Sequence, residues 1–170
     1  MAAYLIKIVN HTSLPRGQLQ AICAALQAFY SQVFQGTSDR ATVQVGTGAA
    51  SDNIVIHFME DVDHSYIQQV MPGGKALRKT IAGHTRQHRG VVCSEIYWRL
   101  LIRGTVQELQ PVRYAQSAFH ESMHNVDPDA TEEKINTTGG LGSNPVGSDL
   151  TDDNKTWIRS KISTRRKQQL

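Results

Sequence analysis

The chain has 170 residues, is 39% hydrophobic and carries 18 Lys and Arg against 15 Asp and Glu. That is enough apolar material for one packed domain and too little for two of ordinary size. A charged fraction of 19% excludes a disordered polyelectrolyte, and 6% aromatics argues against a platform on which nucleic-acid bases stack.

A net charge of +3 is mild, and the clearest basic cluster (Lys161, Arg165, Arg166, Lys167) reads as a solvated tail. The sequence therefore divides into a domain over 1–163 and a basic C-terminal tail over 164–170. Cys23 and Cys93 fit either two buried free thiols or a disulfide, and no CxxC metal knuckle is present. No run approaches the roughly eighteen apolar residues that span a bilayer. Residues 1–10 lack the basic flank and long apolar stretch of a secretion signal. The expectation is no membrane partner, and a location in the cytoplasm or export by a signal-less route.

In chain order, residues 4–10 are rich in Ile and Val and predict a strand. Thr12, Ser13 and Pro15 then signal a helix start, and Leu19, Ile22, Leu26, Phe29, Tyr30 and Val33 recur at helical spacing up to Gly36. Residues 42–46 predict a short strand and 53–59 a central, mostly apolar one. Residues 60–89 mix Pro, Gly, polar and basic residues and read as a long loop or hairpin excursion, a length that is usually functional or mobile. Residues 90–98 predict a second strong strand. Pro111 opens a helix that Pro128 stops after about Val126. A polar, Gly-rich stretch over 128–148 precedes a last helix from Thr151, with Trp157, Ile158 and Ile162 on one side.

Within the 111–126 helix, His120-Glu121-Ser122-Met123-His124 fits the pattern H-E-x-x-H. Residues i and i+4 share a helix face, so two imidazoles can converge on one metal ion, with the glutamate beside them able to reach a metal-bound water. Val112, Ala115, Phe119, Met123 and Val126 form an apolar stripe next to that face, so one side of the helix is buried while the other meets a cleft.

The motif and the order of elements resemble the zincin metallopeptidases. The resemblance implies an α/β (α+β) domain with a mixed sheet, a long backing helix and an active-site helix. It also implies a zinc cofactor, Glu121 as catalytic base, and a peptide or protein substrate paired against the edge strand before the motif helix, here residues 90–98. The metzincin continuation is absent, because Asp127 stands at its Gly position and Ala130 at its third His position. The thermolysin-like branch takes a Glu from a second helix, and Glu132 and Glu133 follow the motif with little room for one. A catalytic zinc usually takes three protein ligands. Asp129, just past the Pro128 break, is placed ahead of Asp127, which shares the His face but lies further along the axis. Asp149, Asp152 and Asp153 are assigned to capping the last helix.

His84 and His88 repeat the i, i+4 spacing without a carboxylate between them, and read as part of a basic, exposed loop. His57 reads as a satisfied core or edge histidine, Gly139 to Gly142 as a flexible wall near the site, and Tyr97 and Tyr114 as packing residues. The expected function is zinc-dependent hydrolysis of a peptide bond. The alternative is a non-catalytic, zinc-stabilised interaction domain that binds through residues 60–89. Nucleic-acid binding through His84, Arg86, His88, Arg89 and the tail is the weakest reading.

Overall fold

Tyr, Ile and Val suit a pleated, half-buried surface, and the first strand is built from them. In a computed structural model that describes residues 1–49, 52–61, 82–88, 91–102 and 105–163, it is β1 (Ala3–His11), with Tyr4, Ile6 and Ile8 turned into the core. β2 (Arg40–Val45) and β3 (Ile54–Met59) both pair with β1 in parallel. Parallel neighbours cannot be joined by a tight turn. The β1–β2 crossover is α1 (Arg16–Val33), which buries Ile22, Leu26, Tyr30 and Val33 and ends just before Gly36, whose φ of 76° turns the chain.

β5 (Val91–Tyr97) pairs in parallel with β3, and β4 (Gly83–His88) pairs with β5 antiparallel, giving a mixed sheet in the order β2-β1-β3-β5-β4. The architecture is α+β with a mixed sheet and one antiparallel edge. The expected edge strand is nevertheless displaced. Val91–Tyr97 is an interior strand, and among the described residues the outer strand beside it is β4. The physical reason is composition: Val92, Ser94, Ile96 and Tyr97 are buried on alternate faces, as an interior strand requires, whereas the polar GHTRQH tolerates an edge.

A small hairpin of β6 (Arg99–Ile102) and β7 (Thr105–Glu108) leads into α2 (Pro111–Val126), the motif helix. α2 packs against α1 and the sheet through Tyr114, Ala118, Phe119 and Met123, and the Phe119 ring lies 5.8 Å from Phe29 and 5.6 Å from Tyr30. Val112 does not join the expected stripe; it sits in the first turn and is exposed. Beyond α2 come α3 (Glu132–Asn136), a 3-10 turn (Gly140–Gly142) and α4 (Asp152–Ile162).

α4 is closed by a capping box in which the Thr151 hydroxyl accepts from the Asn154 N–H and the Asn154 side chain accepts from the Thr151 N–H. The cap therefore comes from Thr151. Asp152 and Asp153 sit in the first turn instead, where negative charge suits the helix dipole. Both cysteines are free and half-buried. Among the described residues no helix is long and apolar enough to cross a membrane. The tail over 164–170, and the 60–89 excursion apart from residues 60–61 and 82–88, lie outside the described residues.

Candidate metal centre

α2 starts at Pro111, whose missing N–H costs nothing in a first turn, and stops where Asp127 leaves helical geometry ahead of Pro128. Four turns of helix therefore present His120 and His124 on one face, with ring centroids 5.2 Å apart and planes inclined by 64°. His120 is only 5% exposed. Its Nδ1 lies 3.1 Å from the Leu141 carbonyl, which accepts no bond unless Nδ1 carries the proton. That contact makes Nδ1 the donor to the carbonyl and turns Nε2 toward the site. The glycine run thus has a definite place: the 3-10 turn buries the Leu141 side chain and aims its carbonyl at His120.

The third candidate donor is Glu132. After α2 the chain turns at Pro128, Ala130 N–H bonds back to the Asp127 carbonyl, and Thr131 caps α3 through its hydroxyl. Glu132 is then the first residue of a new helix, directly opposite the imidazoles. Its carboxylate bridges them, with one oxygen 2.8 Å from His124 Nε2 and the other 3.4 Å from His120 Nε2. Ligand atoms of all three residues lie within 4.8 Å of one another, so the cluster can hold a metal ion.

Neither expected aspartate joins it. Asp127 turns away to pair with Lys161 of α4 at 2.7 Å, and Asp129 points into solvent at the turn. A carboxylate further along a straight helix axis cannot reach back across a turn, whereas one re-entering on a second helix faces both rings. Contrary to the expectation from sequence, there is room for such a helix after the motif, because five residues suffice.

The electrostatics follow from these contacts. Hydrogen bonds from His120 and His124 hold the Glu132 carboxyl well below the usual carboxylate range. Burial works against a charged His120 ring, but the Glu132 hydrogen bond and the nearby Glu121 and Glu132 carboxylates outweigh it, so its pKa lies above the ordinary value. Glu121 is almost fully buried (6% exposed) against the underside of β4, and burial raises its pKa while His120, His124 and the Thr85 hydroxyl oppose the rise. Its Oε2 accepts from Thr85 Oγ1 at 2.7 Å.

The remaining candidates lie elsewhere. His84 is not an exposed loop residue. It belongs to β4 and its side chain is 10% exposed, with Nδ1 2.6 Å from the Tyr97 hydroxyl and Nε2 3.6 Å from Glu95. Strand alternation and pairing with Glu95 put it on the sheet face opposite Thr85 and Glu121. The side chains of His88 and residue 89 lie outside the described residues. His57 Nδ1 lies 3.1 Å from His11 Nε2, a satisfied strand-end pair. Tyr97 donates to Glu95 and Tyr114 to the Ile96 carbonyl, so both hydroxyls are engaged away from the cluster. No family model matches the chain, and no curated protein matches it at a significant level.

Proposed function

We propose that this chain is a zinc-dependent peptidase in which His120, His124 and Glu132 hold the metal and Glu121 is the general base. One observation carries the reading: a His-His-Glu donor set of catalytic-zinc type lies one residue from a buried carboxylate on the same helix. One ligand atom from each of the three residues lies within 4.8 Å of the others, close enough for a single ion to gather them with small side-chain adjustments.

Zinc bound there supplies a Lewis acid and brings the pKa of water toward neutrality. The protein's own groups do the rest. Leu141 holds His120 in the tautomer that offers Nε2. Glu121 accepts the proton released as water adds to the peptide carbonyl carbon and returns it to the leaving amine when the C–N bond breaks. Its raised pKa, caused by burial, suits a group that must take up a proton and give it back. β4 is one of the two outer strands among the described residues and lies over Glu121, which supports it as the strand against which an extended substrate would pair.

Metal analysis of the purified protein, run with a peptide-library cleavage assay, tests the reading. The expected result is about one zinc per chain, as for a mononuclear site, together with cleavage that falls by several orders of magnitude in Glu121→Gln while zinc stays bound. Zinc without cleavage in the wild type turns the reading to a non-catalytic, zinc-stabilised interaction domain. Full zinc occupancy in the His120→Ala/His124→Ala double variant overturns the metal site itself.

A further inference from the structure

Two residues of β4 face Glu121 at the two-residue spacing that shares one face of a strand. Thr85 donates to Glu121 Oε2. Gly83 lies over the stem of the same side chain: a Cβ there would come 3.0 Å from Glu121 Cγ, 2.9 Å from the Glu95 carbonyl and 2.7 Å from Ile96 Cδ1. Gly83 is thus the gap that lets the glutamate lie against the sheet, and Thr85 is the donor that receives its carboxylate.

Behind Thr85 stands a buried polar row. Ser94, directly paired with Thr85 across β4 and β5, has its Oγ 2.7 Å from Thr85 Oγ1, and Asn125 Nδ2 donates to Ser94 Oγ at 2.7 Å. Ser94 and Asn125 are both fully buried. The proton directions can be assigned by counting. With Glu121 ionised, the form in which a base takes up a proton, its carboxylate only accepts, and each hydroxyl has one proton. Thr85 Oγ1 also lies 3.1 Å from the Glu121 carbonyl, but the shorter contact to the charged oxygen takes the proton. Thr85 must then accept from Ser94, which in turn accepts from Asn125. The Asn125–Ser94–Thr85 bonds thus all run toward Glu121.

We infer that Gly83 and Thr85 are the positioning residues for the Glu121 carboxylate, with Ser94 and Asn125 fixing the direction of the hydrogen bonds that hold it. Asn125 ties the device to α2 itself, one residue beyond His124, so the base is referenced to the helix that carries the metal ligands. The inference rests on the peptidase reading for its kinetic consequence and not for the placement.

The test compares zinc-loaded wild type, Thr85→Val, Thr85→Ser and Ser94→Ala. Valine keeps the shape and removes the donor, while serine restores the donor. Thr85→Val is expected to lower kcat about 10- to 100-fold, the usual cost of a displaced reacting group, with KM and zinc content unchanged. Thr85→Ser is expected to recover most of that loss, and Ser94→Ala to lower kcat less than Thr85→Val does. A purely packing role would instead leave Thr85→Ser impaired. A double-mutant cycle of Thr85→Val with Glu121→Leu, which removes the acceptor, read on the unfolding equilibrium of the full chain, supplies the second arm. Its expected non-additivity is about fivefold or more. If the wild type cleaves no peptide, the peptidase reading fails while a non-additive cycle still supports the placement. Additive effects in the cycle overturn it, as does wild-type kcat in both Thr85→Val and Ser94→Ala.

Discussion

Replacing Glu132 by glutamine changes one oxygen for an NH2 and leaves the α3 backbone, its Thr131 cap and the neighbouring Ile135 in place. What it removes is the charge that bridges His120 and His124. In the metal-free protein the loss is small, because the carboxylate is 43% exposed and a partly solvated ion pair contributes no more than about 1 kcal/mol. In the proposed zinc complex it is large. Protein-bound zinc is worth roughly 10–16 kcal/mol over four ligands, so one ligand carries about 3 kcal/mol, or on the order of a hundredfold in affinity. Chelator competition at fixed pH measures this directly, with Asp127→Ala and Asp129→Ala run beside it. The expected order is a loss of about a hundredfold or more for Glu132→Gln and little change for Asp129→Ala. Asp127→Ala should weaken zinc binding only through the lost Lys161 contact, since its carboxylate faces away from the rings. Wild-type affinity in Glu132→Gln, or a greater loss in either aspartate variant, refutes the ligand set.

Two further outcomes follow from groups outside the donor set. Burial depresses His84 to about 4, with Glu95 opposing and Arg86 assisting, so the folded state stays neutral where an unfolded histidine (about 6.5) already binds a proton. Its contribution is complete above pH 6.5 and is lost as the pH falls from about 6.5 to 4, by roughly 3 kcal/mol; urea unfolding across that window should show the slope, and His84→Gln should flatten it. Gly142→Ala places a methyl group against Thr138 Oγ1, with Asn154 Nδ2 at 2.9 Å and the Ile135 carbonyl at 3.0 Å. It should cost about 1–3 kcal/mol in thermal unfolding and, by moving the Leu141 carbonyl off His120, weaken zinc binding about 10- to 100-fold; unchanged zinc affinity would show that the carbonyl does not set the tautomer.

The strands and long helices were legible because each carries one dominant period. β1 and β3 announce themselves through Ile and Val, α1 through the 3.6-residue recurrence of Ile22, Leu26, Tyr30 and Val33, and α2 through Pro111 at its start and Pro128 at its stop. Elements without a period were missed. β7 is TVQE with all four residues exposed, so no burial pattern marks it. β4 is GHTRQH, a polar segment whose strand character comes from its pairing with β5 and from nothing local. Propensity in strands is largely a statement about neighbours, and those neighbours are remote in sequence.

The site shows the same division at finer scale. That His120 and His124 stand together was readable because a helix converts a spacing of four into a shared face. Glu132 was not, because its distance from the imidazoles is set by a reversal at Pro128 and by a helix of five residues, too short to show periodicity. A local signal for it was present: Thr131 followed by Glu132 and Glu133 is a cap residue ahead of an acidic first turn. Read that way, the segment after Pro128 becomes a helix start, and the first residue of a helix that doubles back on its predecessor faces the predecessor's last turns. That is where His120 and His124 stand. The choice of candidate ligand between an aspartate on the turn and a glutamate on the new helix then follows from reach. Asp129 sits at the apex of the reversal, where a side chain points outward to solvent, whereas Glu132 has already returned and has one more methylene with which to span the gap.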